Sequence, residues 1–106
     1  MLVSKYKTND IICFRITTGE EIVAKLKSED EKTYTVTKPL ALVNGPKGVA
    51  MVPAMVTVDP TSEIHYNKAS VISQSTPTKA VEGSYIENTS GLVMATAKDA
   101  SKLKTN

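Results

Sequence analysis

The 106-residue chain has no tryptophan, a single phenylalanine and four tyrosines, so its core must come mainly from Val, Ile, Leu, Met and Ala. A thin core of that kind in a short chain favours burial against a second copy. Cysteine occurs once, as Cys13, which excludes an intramolecular disulfide framework. Histidine also occurs once, as His65, and one Cys with one His does not make a typical zinc site. No charge of one sign dominates: 13 basic residues face 11 acidic ones, a net +2. Composition therefore gives no strongly basic, non-specific nucleic-acid binder, although local basic patches remain open. No apolar run approaches membrane-spanning length, and MLVSKYKTND lacks the apolar stretch of a secretion signal. A single soluble domain of the cytoplasm is expected.

A catalytic set is missing as well. Glycines never gather into a phosphate-cradling loop. The carboxylates come in runs, Glu20-Glu21 and Glu29-Asp30-Glu31, which read as solvated turns rather than acid/base pairs. Cys13 has no histidine near it in sequence and reads as a small hydrophobe; His65 reads as an ordinary surface or half-buried imidazole. Met51 and Met55 read as packing. The expectation is a non-enzyme with no metal and no cofactor.

What is present is short-strand alternation. Ile12, Phe14 and Ile16 share one face of a first strand, and Gly19 supplies the turn after it. A second strand over about 21–28 puts Ile22, Ala24 and Leu26 inward and Val23, Lys25 and Lys27 outward. The third runs from Thr33 to Val43 with a bend or bulge at Pro39. Asn44-Gly45-Pro46-Lys47-Gly48 is a turn. Residues 49–58 form a strand that is apolar on both faces and needs a second covering surface, either a neighbouring copy or a helix of the same chain. Residues 64–75 give a last extended stretch. The period then changes. Thr76-Pro77 reads as an N-cap and first helical position, Val81, Tyr85 and Thr89 (with Ile86 beside them) form a stripe, and Gly91 suits the C-cap. The fold class expected is mainly β: a small, strongly bent antiparallel barrel of about five strands over 11–75, one C-terminal helix over about 77–90, and a polar, mobile tail over about 93–106. The first ten residues are expected to be frayed or loosely docked.

Two segments carry a resemblance. Ile12-Cys-Phe-Arg-Ile-Thr-Thr-Gly19-Glu-Glu-Ile22-Val-Ala24-Lys-Leu26, then Asp30, then Tyr34-Thr-Val36, resembles the first Sm motif. Tyr66-Asn67-Lys68-Ala69-Ser70-Val71-Ile72 resembles the second, in its bacterial RNA-chaperone form. Together they cover about half the chain, and the chain looks like the divergent Sm-like proteins of marine bacteriophages. It departs from the family pattern at several points. Ala24 stands where a glycine is usual, Tyr34 (or Thr33, if the loop is one residue shorter) where an asparagine is usual, Asn67-Lys68 where eukaryotic and archaeal members have Arg-Gly, and the helix follows the barrel instead of preceding it.

The resemblance implies an SH3-like barrel whose copies pair fourth strand to fifth strand in a ring of about five to eight subunits. It also implies single-stranded RNA bound at the ring pore, through Asp30 and Tyr34 of the first motif and Asn67 and Lys68 of the second. Tyr34 would stack on a base and Lys68 would face phosphates. Beside this stand the plainer readings, Tyr34 as core and Lys68 as a solvated lysine. An assembly or protein-interaction ring that binds no RNA is the alternative function.

Overall fold

The computed structural model describes residues 5–90. The strands are β1 (Ile11–Ile16), β2 (Glu21–Glu29), β3 (Thr33–Gly45), β4 (Gly48–Pro53), β5 (Glu63–Asn67) and β6 (Val71–Ser75), with a 3-10 turn over Lys68–Ser70 between the last two. A helix, α1, occupies residues 79–90. The protein is mainly β with one C-terminal helix, as the alternation and the late change of period predict. Among the described residues the strands number six, not five, and all pair antiparallel in the order β4-β3-β2-β1-β6, with β5 on the flank of β3. That order runs open from β4 to β6.

Two differences from the expected strands account for the extra one. The apolar run 49–58 is a strand only as far as Pro53, which cannot donate to a ladder; residues 54–62 follow without strand pairing. An Asp59 turn, with Thr61 N–H donating to Oδ1 at 2.8 Å, brings the chain back into β5. The stretch 64–75 is broken by the 3-10 turn, so its halves pair with different strands, β5 with β3 and β6 with β1.

β3 is the organising strand. Lys38 takes a positive φ of 50° ahead of Pro39, and the β2–β3 register slips between Val23 and Lys25 opposite that point. The bend sends 33–37 to β5 and 40–45 to β4. Ala24, in the usual glycine position, is fully buried at this slip across from Ile12. Gly19, at φ 97°, closes the β1–β2 turn where glycine is expected.

Both faces of the sheet are covered. On one, Ile12, Phe14, Ile22, Leu26, Tyr34 and Val36 form the main core. On the other, Tyr85 of α1 packs on Val23 and Leu40, with Met51 and Val81 at the margin. Val23, expected outward, is therefore buried: the helix covers its face. The stripe forms as predicted, with Tyr85 and Thr89 buried and Val81 half-buried, while Ile86 is exposed. The helix starts two residues later than expected, because Thr78 Oγ1, not Thr76, accepts the Val81 N–H at 3.2 Å. Gly91 and the tail 93–106 lie outside the described residues. The segment before β1 is docked rather than frayed over 5–10: Asn9 N–H donates to Leu26 O at 2.7 Å, and Leu26 N–H to Asp10 O at 2.8 Å.

Tyr85 is the polar anchor of this arrangement. Its hydroxyl donates to the carbonyls of Lys38 (2.8 Å) and Thr37 (3.2 Å), at the bend in β3 where the ladder is interrupted. Burial pushes the phenol well above its ordinary value, and the Lys25 N–H at the phenol oxygen pulls it back only slightly. Burial also raises Tyr34 and Tyr66. A phenol that holds its proton in the fold but loses it in the unfolded chain stabilises the fold fully below the ordinary phenol pKa of about 10. That stability is lost as pH rises further, by at most about 1.4 kcal/mol per pH unit for each retained proton. Melting temperature should be level from neutral pH to about 8, dip slightly as the Cys13 thiol, also raised by burial in the fold, ionises in the unfolded chain, and decline steeply above about 9. Tyr85→Phe should show a shallower decline over the same range, and equal slopes would refute the role given to Tyr85.

Candidate functional site

The four residues drawn from the Sm-like resemblance come to one corner, where the β2–β3 loop meets the 3-10 turn. Thr33 pairs with Asn67 and Tyr34 with Tyr66, and Lys68 N–H donates to Lys32 O at 2.8 Å, so the loop and the turn are stapled together. The corner forms because Asp30 caps its own loop: its Oδ1 accepts the N–H groups of Lys32 and Thr33, both at 2.8 Å. Asp30 and Asn67 are exposed and lie outside the adjoining cleft. Tyr34 and Lys68 line it.

That cleft has a volume of about 340 Å³, and its walls include Tyr6, Glu29, Tyr34, Lys68 and Gln74. Tyr34 is only 4% exposed. Phe14 lies nearly parallel to its ring at 6.2 Å, and the Lys68 ammonium stands over it at 4.7 Å. The phenol hydroxyl donates to Gln74 Oε1, so only the polar end of Tyr34 reaches the cleft. Burial raises this phenol, Glu29 raises it further, and Lys68 and the Gln74 bond offset part of the rise. The ring is core; it has no open face for a base while Lys68 is in place.

Lys68 is not a free cation. Its Nζ is 2.5 Å from Glu29 Oε2, with 22% of the lysine side chain and 8% of the glutamate side chain exposed. A phosphate approaching Lys68 would have to compete with this carboxylate. Glu29 and Gln74 were hidden in the sequence. Glu29 belongs to a charged run that reads as solvated, and Gln74 stands among small polar residues at a strand end. Only tertiary pairing, across separations of 39 and 40 residues, gives them partners.

The single histidine and the single cysteine are both hydrogen-bonded within the fold. His65 Nδ1 meets Thr35 Oγ1 at 2.8 Å, and the Cys13 thiol, raised chiefly by burial, donates to Ser75 O at 3.3 Å. Among the described residues no group of three or more His, Cys, Asp or Glu side chains is arranged to hold a metal, and no helix is long and apolar enough to cross a membrane.

A second surface is defined by what the sheet leaves unpaired. β4 and β6 end the strand order, so among the described residues each has one edge of main-chain N–H and C=O groups without a strand neighbour, as does the outer edge of β5. Edge strands are commonly protected by charges. Here neither GVAMVP nor VISQS contains a charged residue, although 23% of the chain is charged. Exposed hydrophobics accompany both edges: Val49 (67%), Val52, Met55 and Val56 (83%) at and after β4, and Ile72 in β6. No protein-family model matches the chain, and no curated protein matches it.

Proposed function

We propose that this chain is a non-enzymatic, self-assembling module of the Sm-like type, a bent barrel whose copies join head to tail, β4 of one to β6 of the next. Joined in this way the subunits would close a ring, of about five to eight by the family resemblance, in which the β4 and β6 edges are both paired. It would act in the cytoplasm (of a bacterial host if the chain is phage-encoded). The observation that carries this reading is the pair of uncharged, unpaired edges with exposed Val49, Val52, Val56 and Ile72 beside them. Ring assembly would cover the surfaces that α1 leaves open, since of the β4 side chains only Met51 is partly buried.

Light scattering at micromolar concentration should give a homo-oligomer of about five to eight subunits, and a monomer would refute the reading. Val56→Asp and Val52→Asp should lower that mass, because each places a charge in an apolar contact. Val56 is 83% exposed, so its substitution should leave the monomer's melting temperature unchanged.

A second reading, single-stranded RNA binding, is favoured by the one cleft wall that brings Lys68, Lys5 and the polar end of Tyr34 together. Titration with oligo-U and oligo-A at two salt concentrations separates the two. A saturable, salt-sensitive signal supports RNA binding, and a flat signal from a stable oligomer supports assembly alone.

A further inference from the structure

A groove of about 460 Å³ runs between α1 and β4, formed by Leu42, Val49 and Met51 of the sheet and Ala80, Val81 and Ser84 of the helix. Among the described residues no charged side chain lines it. Its helical wall is tied to the strand, with Val81 packed in the cluster that holds Met51, and Asn88 Nδ2 3.9 Å from Met51 Sδ. Val49, Ala50 and Met51 of β4 form its strand wall, so a strand adding to the open edge of β4 would bring side chains close to the groove. We infer that the α1–β4 groove is the seat for β6 of a second copy, so that the C-terminal helix forms part of the subunit interface; this rests on the edge-assembly reading above.

The choice of occupant follows from three observations. β6 ends the strand order opposite β4, and among the described residues its outer edge has no strand neighbour; β5 is open on one edge too, but it carries Glu63. Within one copy β6 is held on β1, from Cys13↔Ser75 to Ile16↔Val71, so it reaches the groove only from another copy. Its side chains are uncharged, and Ser73 and Ser75 are small, which suits a groove with alanine and serine on one wall and no charge to pair. A charged strand would leave an ion without a counter-ion there.

Ser84→Arg tests this directly, with Ile86→Arg as the matched control. Both positions are exposed on α1, but only Ser84 lines the groove. Helical signal should stay at the wild-type value in both, as should the melting temperature of the dissociated monomer. Ser84→Arg should raise the subunit dissociation constant about tenfold or more, and Ile86→Arg should leave it unchanged. Asn88→Arg repeats the test from the next turn should Ser84→Arg fold poorly. If the groove variants assemble like Ile86→Arg while Val56→Asp dissociates, the groove is refuted and edge assembly stands. A wild type that is itself monomeric overturns both.

Discussion

Tyr85→Ala is expected to destabilise the protein by about 3–5 kcal/mol, read as a large fall in the denaturant midpoint. The residue is 1% exposed and is the largest side chain buried between α1 and the sheet, so truncation opens a cavity over Val23 and Leu40. It also removes the hydroxyl that the Thr37 and Lys38 carbonyls use at the bend in β3. Tyr85→Phe separates the two contributions. It keeps the ring and deletes the hydroxyl, so a loss of about 1–3 kcal/mol is expected from buried carbonyls deprived of their donor. The bend matters beyond stability, because β3 exchanges β5 for β4 there. Tyr85→Phe should therefore loosen β4 before the main core, with amide exchange accelerating first over 48–53. A loss below about 0.5 kcal/mol for Tyr85→Ala would show that α1 is not a structural part of this fold.

The legible parts of the fold were those whose cause is local. Ile12, Phe14 and Ile16 alternate, Gly19 frees its turn, Pro39 marks the bend, and Val81, Tyr85 and Thr89 recur at helical spacing; each pattern formed. Val23 was misplaced because its burial depends on a helix that returns more than fifty residues later, as Tyr85 packs on it. The single extended stretch 64–75 became two strands because Lys68 N–H is drawn to Lys32 O, a bond no local pattern announces.

The candidate site was legible in position but not in state. The motif residues do gather at one corner, because strand order and turn placement fix where they fall. Whether Tyr34 and Lys68 are available to a ligand depends on Glu29 and Gln74, and nothing near either in sequence marks it as a partner. The side chains that the Sm-like resemblance marks for nucleic acid thus form, in the fold, a cluster that pairs within itself.

Lys68→Ala should cost about 3 kcal/mol of stability, because it strips the ammonium from a carboxylate that is 8% exposed and from the Tyr34 ring. Glu29→Gln should cost less, since the lysine stem is long enough to carry its charge toward water from a site where its side chain is 22% exposed. The double substitution Glu29→Gln with Lys68→Met should recover most of the Lys68→Ala loss, giving a coupling of about 1–3 kcal/mol in a double-mutant cycle. Strict additivity would show the pair to be incidental. The same series decides between the two functions. If RNA binds in the cleft, Glu29 competes with phosphate for Lys68, so Glu29→Gln should tighten oligo-U binding and steepen its salt dependence by about one counterion. If the corner only fastens the β2–β3 loop to the 3-10 turn, Glu29→Gln should leave RNA titrations flat and the oligomeric mass intact while melting temperature falls. Tighter RNA binding in Glu29→Gln, with the assembly unchanged, would establish the cleft as a nucleic-acid site held in check by its own carboxylate.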